Sequence, residues 1–200
     1  MSVLLLSGGL DSLVLLAQEC HEGRKPWCLA FDYGQRHVRE LESAARIAEW
    51  YGAPFKLVSL PESIFAGSAL TGEQDVPRAH YADAAQVATV VPARNLVFLS
   101  MAAGWALQVG AAKVLIAAHA GDAAIYPDCR PEFLEATHLA MQFGYRVGVS
   151  APFLRMTKRD IVQLGRSLST PLEMAWSCYE GGERPCGKCG ACVERAEAMA

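Results

Sequence analysis

The chain has no excess of positive charge. Eighteen Lys and Arg stand against 21 Asp and Glu, a formal net charge of −3 with a pI near 6, and nowhere do five basic residues run together. A nucleic-acid backbone finds no basic stripe here, so no direct nucleic-acid partner is expected. Long apolar runs are also missing. Val3 to Leu6 is too short for the core of a secretory signal, no basic segment precedes it, and nothing approaches the roughly 20 residues of a membrane span. The expected location is the cytoplasm, with small molecules as partners and no membrane contact. No Walker lysine follows the glycines near the N-terminus, which excludes the G-x-x-x-x-G-K-[ST] phosphate loop. There is no internal repeat and no low-complexity segment. A disulfide framework is excluded as well, because the seven cysteines are odd in number and four crowd together near the C-terminus.

What is present begins with Leu4-Leu5-Leu6-Ser7-Gly8-Gly9-Leu10-Asp11-Ser12. An apolar run stops at two glycines and restarts as Leu13-Val14-Leu15-Leu16, which reads as strand, phosphate loop, helix. Adjacent glycines let successive N–H groups converge on an anion, and the helix that follows aims its positive end at the same spot. Leu6, Ser7, Gly8, Gly9, Leu10, Asp11 and Ser12 are therefore the expected nucleotide-binding stretch. Ser7 and Ser12 add hydroxyls, and Asp11 is suited to a Mg²⁺ ion bridging to phosphate oxygens.

At 200 residues and 52% hydrophobic composition, one α/β domain with a small appendage is expected. The first helix closes at Gly23, Pro26–Phe31 reads as strand two, and Leu41, Ala44, Ala45, Ile47 and Ala48 recur at helical spacing before Phe55–Leu60, strand three. Pro61 to Val87 breaks the rhythm and is expected to be a mobile loop. A long helix then follows Arg94 and Asn95 through Leu107, with Leu96, Leu99, Ala103 and Leu107 on one face. Lys113–Ala118 is strand four, Pro131 opens a helix to about Gln142, and Tyr145–Ser150 is strand five. Thr157 with Asp160 forms a capping-box signature for a last helix to about Leu168. This alternation predicts a Rossmann-like open parallel sheet of about five strands, with helices on both faces. Residues 1–169 would form the nucleotide-binding and catalytic domain and 170–200 a cysteine-rich appendage.

In such a sheet, ligands bind outside the carboxyl ends of the strands. The loop at Ser7, the run Asp32 to His37 and the run His119 to Arg130 all follow strands, so one crevice is expected to gather them. Taken singly, Arg36 with His37, Arg94 with Asn95, and Asp128 with Arg130 read equally well as helix starts, caps or surface ion pairs. Cys178, Cys186, Cys189 and Cys192 give C-x₇-C-x₂-C-x₂-C, a strong metal signal with Gly187 and Gly190 permitting tight turns. Four sulfurs suit structural zinc; the competitor is an iron–sulfur cluster, whose closing C-x₃-C-P is absent here.

The Ser-Gly-Gly-x-Asp-Ser run resembles the loop of the ATP pyrophosphatases, the PP-loop family. With Asp32-Tyr33-Gly34-Gln35-Arg36-His37, Val91-Pro92-Ala93-Arg94-Asn95, Tyr126-Pro127-Asp128-Cys129-Arg130, Trp176-Ser177-Cys178-Tyr179 and Pro185-Cys186-Gly187-x-Cys189-x-x-Cys192, the chain resembles the QueC family of 7-cyano-7-deazaguanine synthases. Where members often carry serine and glycine before the Tyr-Pro-Asp-Cys-Arg run, Ala124 and Ile125 stand here. The resemblance implies an ATP-dependent ligase of queuosine biosynthesis. ATP, Mg²⁺ and Zn²⁺ would be its cofactors, 7-carboxy-7-deazaguanine and ammonia its substrates, and a homodimer its state. It further implies Asp32, Gln35 and Arg36 beside the nucleotide, Asp11 and Ser12 at the pyrophosphate, and Arg36 and Arg94 on substrate or phosphate charge. Asp122 and Asp128 would serve the pyrimidine edge or proton transfer. The alternative within the resemblance couples the activated carboxylate to another amine, such as a protein N-terminus. A silent nucleotide-binding module is the reading from a different class.

Overall fold

Alternating strands and helices become a five-stranded parallel sheet in the computed structural model, which describes residues 1–200. β1 (Ser2–Leu5) lies between β2 (Trp27–Asp32) and β4 (Lys113–Leu115), with β3 (Phe55–Ser59) and β5 (Gly148–Ser150) at the edges, in the order β3-β2-β1-β4-β5. Every pairing is parallel, so each connection crosses over a face. The crossovers carry α1 (Leu10–His21), α2 (Arg39–Trp50), α3 (Arg94–Gln108) and α4 (Pro131–Tyr145). Alternate strand residues point to opposite faces. Leu4, Cys28, Ala30 and Leu115 join a core of 21 buried residues with α1, α2, α5 (Lys158–Ser167) and α6 (Gly190–Met199). Val3, Leu29, Phe31 and Val114 join the opposite core of 19, under α3 and α4. Strand order reverses between β1 and β4, and the loops leaving their carboxyl ends diverge to open a crevice.

Two element boundaries and one helix face differ from the sequence reading. β4 stops at Leu115, although Ile116 N–H still reaches Ser150 O at 3.0 Å, and Ile116, Ala117 and Ala118 go on to line the cavity. α4 continues to Tyr145, where a strand was expected to begin. Arg146 closes it in a left-handed conformation (φ 58°) with its N–H on Gln142 O, so β5 waits until Gly148. On α3 the buried stripe is Asn95, Leu99, Ala102, Ala103 and Ala106, while Leu96 and Leu107 are 43% and 51% exposed. Alanine, the smallest side chain with a Cβ, lets that helix lie close on the sheet.

The capping box of α5 forms as the sequence predicts: Thr157 Oγ1 accepts Asp160 N–H at 3.2 Å and Asp160 Oδ2 accepts Thr157 N–H at 2.8 Å. Residues 61–87 bury Phe65, Leu70 and Val76, and 3₁₀ turns form at Glu62–Ile64 and Ala84–Thr89. After a 3₁₀ turn at Leu172–Met174 the chain crosses the crevice and returns as α6 against α5. No helix is long and apolar enough to cross a membrane.

Three elements meet at Gly165 of α5, where a Cβ would stand 2.8 Å from Leu172 Cδ2 and 2.9 Å from Val14 Cγ2. Gly165→Val is expected to destabilise by about 1–3 kcal/mol through overpacking, read as a lower urea midpoint at unchanged m-value.

Candidate active site

The glycine loop leaves β1 at the crevice and α1 starts at Leu10. Gly8 sits at φ +83°, and a Cβ there would press on the Glu40 carbonyl and stand 2.9 Å from Ala44 N, so only glycine lets the loop lie on the α2 backbone. Its carbonyl is turned inward, accepting Trp176 N–H at 2.9 Å and the Ser43 hydroxyl at 3.0 Å. The forward side of the loop carries donors. Gly9 N–H lies on Ser7 Oγ at 3.2 Å, the Ser7 and Ser12 hydroxyls are 3.1 Å apart, and Ser12 donates to Gly9 O at 3.0 Å. An anion at this helix start would replace those neutral bonds with stronger charge-assisted ones.

A cavity of about 260 Å³ opens in front of the loop. One end is a charge cluster. Lys158 Nζ lies 2.5 Å from Asp11 Oδ2 and 3.4 Å from Glu194 Oε2 on α6. Burial works against the ammonium, and Asp11, Glu194 and Asp122 outweigh it, holding Lys158 above the usual lysine range. His119 stands behind, 3.5 Å from Asp122 Oδ1 and 3.7 Å from Glu194 Oε1, while its N–H binds Asp122 Oδ2 at 2.9 Å. Asp11 Oδ1 is buried without a partner, a vacancy in bonding that a cation would fill.

The other end is built differently. Arg94, at the start of α3, donates to Tyr33 Oη at 3.3 Å with its guanidinium 5.9 Å from that ring, and no carboxylate stands within 4 Å of it. Gln35 accepts Tyr33 N–H at 2.9 Å and donates to Phe31 O at 3.2 Å and to Glu40 Oε1 at 3.1 Å, fixing the Glu40 carboxylate in the cavity wall. Burial raises the Glu40 carboxyl to about 7, with Arg94 and Gln35 pulling the other way. Its neighbour His37 is driven down to about 4, chiefly by burial, and so is neutral at physiological pH. Tyr179 closes the wall, its hydroxyl 3.4 Å from that of Tyr126, which is 2.8 Å from Thr89 Oγ1.

A glycine loop at a helix start, an acid and lysine cluster and a guanidinium without a carboxylate partner thus face one cavity. The family described as "Queuosine biosynthesis protein QueC" matches residues 1–200. The chain belongs to the QueC family. The 7-cyano-7-deazaguanine synthase of Archaeoglobus fulgidus is 46% identical over 203 residues, covering 99% of this chain and 85% of that protein. That of Marinobacter nauticus is 45% identical over 202 residues, covering 99% and 91%. Among solved structures, NMN synthetase from Francisella tularensis superposes with a TM-score of 0.53 at 16% identity, over 86% of this chain and 63% of that one, a likeness of fold.

The QueC cavity is lined by Leu6, Ser7, Gly9, Leu10, Asp11, Ser12, Arg94 and Asp122 of the residues singled out in the sequence. Gly8 lies behind them as the hinge of the loop. Four others face elsewhere. Asp32 Oδ1 accepts Gly34 N–H at 3.3 Å, and Gln35 serves as the buttress of Glu40. Arg36 is exposed and bonds the Gln74 carbonyl at 2.6 Å, tying residues 61–87 to the loop after β2. Asp128 Oδ2 accepts Asn95 N–H at 3.0 Å and so serves the open N-terminus of α3, which has no side-chain cap of its own. Lys158, Glu194 and Glu40 were not singled out. Lys158 had a sequence signal, a cation in the first turn of a helix, where the dipole disfavours it; Glu40 and Glu194 read as ordinary helix-surface acids.

The four cysteine sulfurs lie within 4.8 Å of one another, with Cys178, Cys189 and Cys192 buried. Burial would raise the Cys186 thiol, but N–H groups of Lys188 and Cys189 draw it down to about 7, the behaviour of a sulfur prepared as thiolate. The donor set fits a closed metal centre. Cys189→Ser is expected to lose the bound metal, measured by elemental analysis, and to lower Tm by about 5 °C or more, the size of a lost structural metal contact in a 200-residue chain.

Proposed function

We propose that this QueC chain converts 7-carboxy-7-deazaguanine, ATP and ammonia into 7-cyano-7-deazaguanine, a step of queuosine biosynthesis. The observation that carries the reading is Arg94, a guanidinium in the cavity wall with no carboxylate of its own, across from a loop built to hold phosphate. A substrate bearing a carboxylate and a partner bearing a triphosphate meet that arrangement from its two ends. Phe31, Tyr33 and Phe98 line the same cavity and offer flat surfaces to a bicyclic base.

A carboxylate is a poor electrophile. Arg94 orients it so that one oxygen attacks the α-phosphorus of ATP, pyrophosphate leaves, and an acyl adenylate remains. Gly9 N–H, the Ser7 and Ser12 hydroxyls and the start of α1 hold the departing phosphates, with Lys158 supplying the positive charge that a Walker lysine gives elsewhere. Mg²⁺, held by Asp11 through its unpartnered Oδ1, would add charge neutralisation on the pyrophosphate. Ammonia displaces AMP to give the amide, a second ATP activates the amide oxygen, and loss of AMP leaves the nitrile. An annex of about 30 Å³, walled by Asp122, Tyr126, Tyr179 and Glu194 where it adjoins the main cavity, has room for a water-sized molecule and favours ammonia over a bulky amine.

Zinc is the metal that suits the cysteines. Two sulfurs on one zinc, each at about 2.3 Å, stand roughly 3.8 Å apart in a tetrahedron, and Cys186 Sγ lies 4.0 Å from Cys192 Sγ; several irons would spread them further. Thiolate ligation and use of ATP suit the cytoplasm. A homodimer is supported by apolar side chains left outside α3 and α4, with Phe143 83% exposed and Leu107 51% exposed.

Incubation with 7-carboxy-7-deazaguanine, Mg-ATP and ammonium is expected to give the nitrile by mass spectrometry; ATP hydrolysis without amide or nitrile would overturn the reading. Asp11→Asn and Ser12→Ala should each lower kcat by about 10²–10³, and Arg94→Met should raise KM for the deazaguanine acid. Phe143→Glu should shift the protein to monomer in sedimentation velocity while leaving the fold intact by circular dichroism.

A further inference from the structure

We propose that Glu40 is the general base of the reaction, the group that takes the N–H proton when ammonia adds to the activated carboxylate. The inference rests on the synthase reading above and names a residue within that same cavity. Four carboxylates line the cavity: Asp11, Glu40, Asp122 and Glu194. Lys158 is shared between Asp11 and Glu194, and His119 holds Asp122 through its backbone N–H at 2.9 Å and its ring at 3.5 Å. Three of the four are thereby committed. Neither Glu40 nor Asp122 has a Lys or Arg within 4 Å, but Asp122 is engaged by both the ring and the backbone N–H of His119, whereas Glu40 meets only His37 at 3.5 Å, which is neutral, and the Gln35 amide.

Geometry holds Glu40 ready. Gln35 donates to Oε1 at 3.1 Å and is itself anchored on Phe31 O and Tyr33 N–H, so the carboxylate cannot swing away. The Glu40 backbone carbonyl touches Gly8, placing this residue on the same turn that sets the glycine loop. The titratable and charged groups facing it are His37 from the loop before α2, Tyr33 at the end of β2, Arg94 from α3, and Tyr179 across the cavity. Burial outweighs Arg94 and leaves the carboxyl half-protonated at about 7, where a base both exists in the right form and still binds a proton well. The other imidazole near the site, His119, is enclosed by acids and does not line the cavity.

The step balances. The nitrogen lone pair of NH₃ forms the C–N bond and the carbonyl π pair moves to oxygen. Glu40 takes one proton from the resulting R–C(O⁻)(O–AMP)–NH₃⁺. The oxyanion pair then re-forms C=O as the C–O bond to AMP breaks, its electrons leaving on the phosphate oxygen. The proton passes from Glu40 to solvent before the next cycle. On the second ATP the O-adenylated amide, R–C(O–AMP)=NH₂⁺, must shed two protons as AMP leaves and C≡N forms, and the same carboxylate is placed to accept them in turn.

The test separates activation from amine addition. In wild type, kcat/KM for ammonia-dependent amide formation, corrected for the fraction of free NH₃, should rise with pH through a midpoint near 7. Glu40→Gln keeps the size and hydrogen bonding; it should lower amide formation by about 10²-fold or more and lose that limb, while pyrophosphate exchange dependent on 7-carboxy-7-deazaguanine falls far less. Added formate should restore part of the loss in Glu40→Ala. A Glu40→Gln enzyme that keeps the limb, or whose defect is confined to KM for the deazaguanine acid, overturns the assignment and makes Glu40 a reader of the base. If either variant fails to fold, a wild-type profile flat between pH 6 and about 8 overturns it alone. Absence of substrate-dependent pyrophosphate exchange in wild type overturns the synthase reading itself, which keeps the two failures apart.

Discussion

The site depends on one steric fact: the backbone of the glycine loop touches the backbone of α2 with nothing between. Gly8 has no Cβ, and any other residue would drive its side chain into the Glu40 carbonyl. Because the gap is closed, the Gly8 carbonyl is reached from behind by Trp176 N–H and Ser43, while Gly9 N–H lies on Ser7 Oγ. Ser43 Oγ also lies 2.6 Å from Met174 O, so its single proton is shared between the loop and the segment leading to the cysteines. One contact thus sets three surfaces in register: the phosphate loop, the first turn of α2 with Glu40, and the strip Met174 to Tyr179.

From that register follows the division of charge within the cavity. Lys158 stands beside the glycine loop, but it comes from α5, far along the chain, and it pairs with Asp11 and Glu194. One ammonium between two carboxylates leaves the cluster net negative, so under the proposed function a phosphate drawing Lys158 forward would need a metal ion on Asp11 to offset the added negative charge. Arg94 has no such resting partner and offers only a tyrosine hydroxyl and ring. A guanidinium desolvated that far is costly without an anion, and under the proposed function the substrate carboxylate would supply the missing half. The two cations are therefore held differently: Lys158 is paired with two acids, while Arg94 has only a tyrosine hydroxyl and ring.

How much of this was legible in the sequence depends on how local each signal is. The glycine bend between β1 and α1 and the Thr157 capping box are written within a few residues each and the cysteine cluster within fifteen, while the strand alternation repeats along the chain, and the structure forms each of them. The buried face of α3 was misread because alanine carries little hydrophobic weight in a periodicity, yet here small size is what brings the helix onto the sheet. Asp128 was read toward the substrate because it follows a strand; only tertiary structure shows α3 beginning beside it with a bare N-terminus. Glu40 and Glu194 carry no local signal at all. Their meaning comes from Gln35, Lys158 and the wall of the cavity, none of which is nearby in helical period.

The cysteine segment is the part of the chain least able to order itself. Its own core comprises Val76, Cys178, Cys189 and Cys192, so three of the four buried residues are the candidate ligands. Without a metal, that cluster is a valine and three thiols, too little apolar surface to hold an irregular strand in place. Yet this segment contributes Trp176 to the loop carbonyl, Tyr179 to the cavity wall and, through α6, Glu194 to Lys158. A metal gathering the four sulfurs would therefore also brace the far wall of the cavity, although the sulfurs do not line the cavity themselves.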